Sequence, residues 1–254
     1  MPLPNKMNPL AREPVFTLTV KPGILGTSLT YGFTPLWRAG GYCKVIDWGD
    51  GTSEDAVTNQ ASISHTYSSA GTYKIKVKAD CYKFYFGLNT AYAPLIYDSN
   101  GNWDAIGDLT NASEMFSGCA NAVFALKSLP SGLTGASSMF RGCANARLSL
   151  TSLPAGITGG SYMFDGCANA SISITTLPSG LTNGAGMFRG CANSVMNLNT
   201  LAANAPTGGW TALTNIAQMF QNCSLVTGSQ SAFLAQCPNV TNTTNAFTGT
   251  NTTA

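Results

Sequence analysis

Charged residues are scarce in this sequence. Asp, Glu, Lys and Arg make up 9% of the 254 residues, the formal net charge is +2, and none of the four occurs after Arg189. Soluble domains usually carry about a quarter of charged residues. Because there is no strong field of either sign, we expect no binding to nucleic acid or to an acidic membrane surface. The C-terminal part must be kept soluble by amide and hydroxyl side chains, or be covered by a partner.

Long apolar runs are also missing. No stretch reaches the roughly 18 to 20 consecutive apolar residues that span a bilayer, so we expect no membrane insertion. The first residues, Met1–Lys6, lack the apolar core of a secretory signal. We therefore expect either a leader that is not part of this sequence or another route of release, such as assembly into a virion that leaves by lysis.

Residues suited to catalysis are few. His65 is the only histidine, so a Ser-His-Asp or Cys-His arrangement has little support. No Gly-rich phosphate loop occurs, and no close Cys-x2-Cys pair offers a zinc site. Asp47 and Asp50 flank a Trp-Gly turn. Three interpretations are open: the two carboxylates bind Ca²⁺, they act as acid and base, or they accept backbone N–H bonds that fix the loop. We favour the last reading and predict no catalytic residue, metal or cofactor.

One motif, Met-Phe-x-Gly-Cys, recurs along the second half of the chain. Four copies begin 24 residues apart, at Met115, Met139, Met163 and Met187. A fifth copy, with Asn in place of Gly, begins 32 residues later at Met219, and a decayed sixth begins at Ala246. A fixed period in this range is typical of units that cannot bury their own apolar face and stack on one another.

Other apolar positions share this period and are predicted to form ladders from coil to coil. The columns are Leu109, Leu133, Ile157, Leu181 and Leu213; Phe124, Leu148, Ile172 and Met196; Leu126, Leu150, Ile174 and Leu198; and Leu129, Leu153, Leu177 and Leu201. Apolar residues two apart predict a short strand, which the Pro after the last column ends in three coils. The motif cysteines are predicted to be buried core.

Disulfides are the alternative use of the cysteines. Cys43 and Cys81 lie in or beside the N-terminal strands and would pair in an oxidising medium. Cys237 lies near Cys223 in the sequence and is a weaker candidate pair. Neither pair is fixed by the sequence.

The N-terminal part reads as short strands over residues 15–20, 42–48 and 72–79, which predicts an antiparallel sandwich. Two linked motifs lie there: Ile46-Asp47-Trp48-Gly49-Asp50-Gly51-Thr52, and His65-Thr66-Tyr67 with Ala70-Gly71-Thr72-Tyr73. This region closely resembles the PKD-type immunoglobulin-like domain. The resemblance implies a β-sandwich that serves as a spacer or adhesive module, with His65 in a structural turn.

The repeat region resembles the BspA-like leucine-rich repeats of bacterial surface proteins, which phage-encoded proteins also contain. The matching signature is Met-Phe-x-x-Cys with a downstream Leu-Pro. The chain is thus predicted to be mainly β: an N-terminal arm (1–12), a PKD-like Ig-fold domain (13–82), a transition that caps the repeat stack (83–108) and a leucine-rich-repeat-like solenoid (109–254).

The predicted binding contacts lie where the repeat is broken. The insertion Asn204–Trp210 is expected to be an exposed loop, and such loops often carry binding function. Trp37 has no place in either motif. We therefore predict Trp37, Trp210, Asn204 and Thr207 as contacts.

These features favour a non-enzymatic bacteriophage virion surface protein, a capsid decoration or tail-associated protein. Its N-terminal part would dock on other virion proteins, and its repeats would adhere to a glycan or protein of the host surface. The alternative is a secreted or cell-surface bacterial adhesin without its leader. A glycan hydrolase would need two carboxylates in one groove, whereas Glu114 and Asp165 are two repeats apart. Whether the protein is a homo-oligomer stays open.

Overall fold

The structure of the protein, a computed structural model, describes residues 16–24, 29–36, 43–57, 63–79, 83–85, 92–99 and 109–254. The arm predicted over residues 1–12 lies outside these ranges, and so do Trp37 and Cys81. Whether Cys43 and Cys81 pair, which the sequence leaves open, is therefore not tested. Within the described ranges the chain is mainly β, as the sequence predicts.

Two antiparallel sheets form the N-terminal part. The strands are, in chain order, β1 (Phe16–Val20), β2 (Thr30–Leu36), β3 (Cys43–Asp47), β4 (Ser53–Val57), β5 (Ile63–Thr66), β6 (Tyr73–Ala79), β7 (Lys83–Tyr85) and β8 (Ile96–Ser99). One sheet has the order β4-β3-β6-β1-β8, and the other has the order β5-β2-β7. Buried residues of both sheets belong to one core, which is the arrangement of an Ig-like β-sandwich.

Alternating side chains hold the centre of the larger sheet together. β1 and β6 pair with Phe16 opposite Val77 and Leu18 opposite Ile75. These four side chains are buried, whereas Lys74 in the same strand pair is exposed. Cross-strand apolar pairs on one face are the unit of sheet stabilisation. The alternation predicted over residues 72–79 is therefore confirmed.

The segment after the sandwich contributes to both parts of the molecule. β7 pairs with β2 and β8 pairs with β1, so the sheets continue beyond residue 82, where the sequence placed their end. The carbonyl of Tyr97 in β8 accepts the N–H of Val123 at 2.9 Å. Ala93 and Leu95 belong to the same apolar core as the first repeat. The sandwich and the repeats are therefore joined by packing as well as by the chain.

Residues 109–254 form six coils, one for each copy of the motif, and we call them the coil stack. Four backbone N–H groups at alternate residues of each coil donate to carbonyls of the next coil. Between the first two coils the donors are Ala112, Glu114, Phe116 and Gly118, at 2.7–2.9 Å. The same positions join every later pair, and Phe220 of the fifth coil donates to Ala246 of the decayed sixth.

The motif phenylalanines stack along the axis of the coils. Neighbouring ring centroids lie 5.4–5.9 Å apart with nearly parallel planes. The rings belong to Phe116, Phe140, Phe164, Phe188, Phe220 and Phe247. The motif methionines are buried beside them, as are the leucine and isoleucine columns with the exception of a half-buried Leu153. The ladders predicted from the period are confirmed.

The motif cysteines are buried core, as predicted, and they also make a hydrogen bond. From the second coil to the fifth, the motif Sγ–H donates to the carbonyl of the phenylalanine one coil earlier, at 2.8–3.1 Å. The donors are Cys143, Cys167, Cys191 and Cys223. All of them are free thiols, and so is Cys237. The Cys223–Cys237 disulfide considered from the sequence is therefore wrong.

The longer spacing before the fifth motif is taken up by a helix. β9 (Met196–Asn197) leads into α1 (Leu198–Ala203), and the Asn197 side chain caps α1 by accepting the N–H groups of Asn199 and Thr200. Later come β10 (Val226–Ser229), α2 (Gln230–Leu234) and β11 (Asn251–Thr253). The three strands form a parallel sheet in the order β11-β10-β9.

The short strands predicted for the earlier coils are not formed, and backbone hydrogen bonds without regular strand pairing join the coils there. Ser149 donates its N–H to Leu126, and Ser173 donates to Leu150, at 3.0 and 2.9 Å. These bonds form one row from coil to coil. Regular strand pairing within the coil stack occurs only in β9, β10 and β11.

We expect the phenylalanine ladder to dominate the stability of the coil stack. Phe164→Ala leaves a cavity between two stacked rings and should lower the free energy of unfolding by about 3–5 kcal/mol. Ser173→Ala, at an exposed position of the same coil, should change it by less than about 0.5 kcal/mol. Urea unfolding followed by circular dichroism measures both, and equal effects of the two variants would contradict the ladder.

We also expect the buried thiols to be unreactive in the folded protein. Burial raises the pKa of Cys143, Cys167 and Cys191 well above the ordinary value, and that of Cys223 to about 11. Since the thiolate is the nucleophile, iodoacetamide should label these residues slowly at neutral pH and rapidly in urea. Mass spectrometry of the labelled peptides measures this. Rapid labelling of Cys167 without denaturant would show that the column of motif cysteines is accessible to solvent, and would contradict the prediction.

Candidate functional site

Trp210 is not an exposed contact, and that prediction is wrong. The side chain is 0% exposed, its Nε1 donates to the carbonyl of Leu177 at 3.2 Å, and its ring lies 5.7 Å from that of Phe233. The physical reason is its register in the coil. Leu213 donates its N–H to the Trp210 carbonyl as Leu181 does to Pro178. Trp210 therefore occupies the column that holds Pro in earlier coils.

The other predicted contacts have different outcomes. Asn204 and Thr207 are exposed, as expected. Asn204 also has a structural task, because its Nδ2 donates to the carbonyl of Thr175 at 3.2 Å and its own carbonyl accepts from the Thr176 hydroxyl at 3.1 Å. These bonds tie the insertion to the preceding repeats, so Thr207 is the freer of the two. The prediction for Trp37 lies outside the described residues.

A groove that the sequence did not reveal crosses the first three coils. Its volume is about 310 Å³. Its lining consists of the buried core residue Leu148 and of the exposed residues around it, Val123, Asn145, Arg147, Ser149, Asn169 and Ser171. A signal was present in the sequence, since Arg147 and Ser149 stand at the polar positions on either side of Leu148. We call this feature the coil groove.

The coil groove offers hydrogen-bonding groups at its surface. Asn145 and Asn169 use their Nδ2 groups to donate to the carbonyls of Ala120 and Ala144, at 2.8 and 3.0 Å, which leaves their amide oxygens as acceptors. Arg147 is exposed, and its guanidinium has no partner among the residues that the structure describes. Amides, hydroxyls and one cation in a shallow groove are suited to the hydroxyl groups of a carbohydrate.

The Asp47–Asp50 turn is built as a structural loop. Asp47 accepts the N–H of Gly49 at 2.9 Å with one oxygen and contacts Lys76 Nζ at 3.0 Å with the other. Asp50 accepts both the N–H and the hydroxyl of Thr52, at 3.0 and 2.6 Å. No group of three or more His, Cys, Asp or Glu side chains suited to a metal ion occurs in the described ranges. These bonds favour the loop-fixing role over Ca²⁺ binding.

His65 completes this loop. Its Nε2 lies 2.7 Å from the second oxygen of Asp50, and its ring stacks on that of Trp48 with centroids 5.0 Å apart. The hydroxyl of Tyr67 donates to the Trp48 carbonyl at 3.0 Å. The structural role that the sequence assigned to His65 fits these contacts.

The loop should make stability depend on pH in the acid range. Partial burial alone would raise the pKa of Asp50, but bonds from Thr52 and His65 outweigh it and lower the pKa from 3.8 to about 2. The ionised carboxylate therefore stabilises the fold above about pH 4, and this contribution is lost as the pH falls toward 2. Asp50→Asn should melt at a lower temperature at neutral pH and show a flatter pH dependence.

Thermal unfolding monitored by circular dichroism between neutral pH and pH 2 measures this effect. Glu114→Gln, which removes a carboxylate from the coil stack, is the control and should keep the pH dependence of the wild type. If Asp50→Asn and the wild type lose stability in parallel as the pH falls, protonation of Asp50 does not cause the pH dependence of stability.

The comparisons with known proteins concern the N-terminal part. No helix in the described part of the chain has both the length and the apolarity to cross a membrane. No curated protein matches this chain, and no solved structure matches it. Residues 6–80 match the PKD domain family, which agrees with the two sheets, so the N-terminal part of the chain is a PKD-type Ig-like domain.

Proposed function

We propose that the protein is a non-enzymatic surface component of a bacteriophage virion, which docks by its N-terminal part and displays the coil stack for adhesion to host glycans. One observation carries the proposal: the sandwich and the coil stack share a core and are bonded through Tyr97 and Val123. An anchored sandwich would hold the coils in a fixed direction. A spacer fused rigidly to a binding surface suits display better than catalysis.

We also propose that the coil stack is a BspA-like leucine-rich-repeat solenoid. The support is the coincidence of sequence and geometry. The Met-Phe-x-Gly-Cys motif supplies the buried phenylalanine ladder and lies in the segment whose N–H groups bond to the next coil. The Leu-Pro pair lies at a turn, where the carbonyl of Pro130 accepts the N–H of Leu133 at 3.2 Å. Repeats of this kind offer long surfaces built from equivalent positions.

The coil groove is the adhesive surface in this proposal. It combines amide oxygens, hydroxyls and the guanidinium of Arg147. Each contact of this kind with a sugar is weak, but many copies on one particle would bind with much higher avidity. The scarcity of charge elsewhere in the coil stack suits a surface that recognises hydroxyl-rich polymers.

The virion location is tested on purified particles. Antibody-gold labelling and mass spectrometry of density-banded phage should find the protein on the particle surface, and phage with the gene deleted serves as the control. Protein that is absent from particles and present on the bacterial envelope would overturn the virion role and favour the alternative, a cell-surface adhesin.

The adhesive role is tested with two matched variants of the full chain. Ser171→Trp fills the coil groove and should reduce binding of the fluorescent protein to host cells about tenfold, because a filled groove loses its hydrogen bonds to the ligand. Ser173→Trp places the same ring on the same coil outside the groove lining and should bind like the wild type. Equal binding by all three proteins would remove the coil groove from the proposal.

A further inference from the structure

Within the motif segment, the third coil carries side chains that its neighbouring coils do not. The position two residues before the motif phenylalanine carries Tyr162 there, and the position directly after the phenylalanine carries Asp165. The neighbouring coils supply Arg141 and Arg189 at the position of Asp165. We call these four side chains the Tyr162 cluster.

Tyr162 is held in an unusual way. Its φ is 55°, in the left-handed region that bulky residues rarely adopt. Its ring lies over Gly186 of the next coil, where an added Cβ would come within 2.4 Å of the ring. The ring therefore fits only because residue 186 is glycine. Tyr162 on the third coil and Gly186 at the same repeat position of the fourth coil are thus both needed to place the ring.

Asp165 organises the two arginines around this ring. Arg189 donates to both carboxylate oxygens of Asp165 at 2.7 Å, through Nε and Nη2, and its Nη1 donates to Gln218 at 3.3 Å. Arg141 Nε lies 3.3 Å from the same carboxylate. The two guanidinium carbons lie 5.5 and 5.4 Å from the Tyr162 ring centroid. One carboxylate between two guanidinium groups leaves a net positive charge.

Arg141 is the part of the cluster that is left for a ligand. Its side chain is 55% exposed, and its two terminal nitrogens have no partner among the described residues. A guanidinium edge of this kind binds a carboxylate or a sulfate through two parallel hydrogen bonds. The hydroxyl of Tyr162, whose ring centroid lies 5.5 Å from the Arg141 guanidinium carbon, has no hydrogen-bond partner within the described ranges and can serve a sugar hydroxyl.

We propose that the Tyr162 cluster binds an acidic sugar unit, with the anionic group on the terminal nitrogens of Arg141 and a ring hydroxyl on Tyr162. This inference deepens the proposed adhesive function and rests on it for its biological setting. Asp165 and Arg189 are positioning residues, because they fix the guanidinium of Arg141 and the ring without being free themselves. The ligand is thus an anionic polysaccharide, carrying either uronate or sulfate groups.

The experiment measures binding of the full chain to immobilised polygalacturonate, dextran sulfate and neutral dextran. We expect binding to at least one anionic polymer and none to dextran. Arg141→Gln should weaken binding about tenfold, the loss of one charge-assisted bidentate contact. Tyr162→Phe should weaken it several-fold while keeping the ring. Which anionic polymer binds tells uronate from sulfate.

Lys127→Gln is the matched control, since it removes one exposed positive charge from the first coil. It should bind within about twofold of the wild type. Equal losses in Arg141→Gln and Lys127→Gln would show non-specific attraction and overturn the proposal, and so would equal binding to dextran or no binding to either anionic polymer. An Arg141→Gln variant that unfolds at lower urea concentration but binds normally would show a purely structural ion pair.

The outcomes separate this inference from the proposed function. If polysaccharide binding depends on Arg141 but the protein is absent from particles, the Tyr162 cluster is still a binding site and the virion role is wrong. Adhesion of particles that is insensitive to Arg141→Gln removes the cluster and leaves the virion role.

Discussion

Four backbone hydrogen bonds from one short segment of each coil reach the next coil, and this link constrains the rest of the coil stack. The donors are alternate residues of one short segment, so every coil must repeat the same backbone path there. An insertion within the segment would break the bonds on both of its sides. The extra residues before the fifth motif accordingly lie in α1 and the turn after it, outside the bonded segment. The backbone link therefore decides where the repeat can vary.

The same constraint explains the glycine of the motif. Each coil has two residues with positive φ in the bonded segment, such as Ser138 and Gly142 in the second coil. Gly adopts this conformation at little cost, and Asn tolerates it better than most residues. Asn222 replaces Gly in the fifth coil with a φ of 60°. The other positive-φ position carries several residue types, so its conformation left no mark in the sequence.

Much of the fold could be read from periodicity, and the errors came where a pattern was interrupted. The apolar columns depend on spacing alone, and spacing survives in the sequence. The sequence did not predict β2 and β4, because Gly, Pro and acidic residues are depleted in strands. Gly32 and Pro35 lie in β2, and acidic residues lie at the start of β4. Their pairing comes from tertiary contacts with neighbouring strands. Trp210 was misread because the insertion hid its register, although it precedes Leu213 by the same interval as Pro130 precedes Leu133.

The candidate sites could be predicted less well, because they depend on which coils lie side by side. Inward positions of a repeat are fixed by packing, so specific chemistry can enter only at outward positions. The charged residues of the coil stack illustrate this: they are Glu114, Lys127, Arg141, Arg147, Asp165 and Arg189, a net charge of +2, and all lie in the first four coils. Asp165 is taken by Arg189. The unneutralised positive charge is therefore concentrated on the coils that carry the coil groove and the Tyr162 cluster, which favours a ligand that combines hydroxyl groups with an anion.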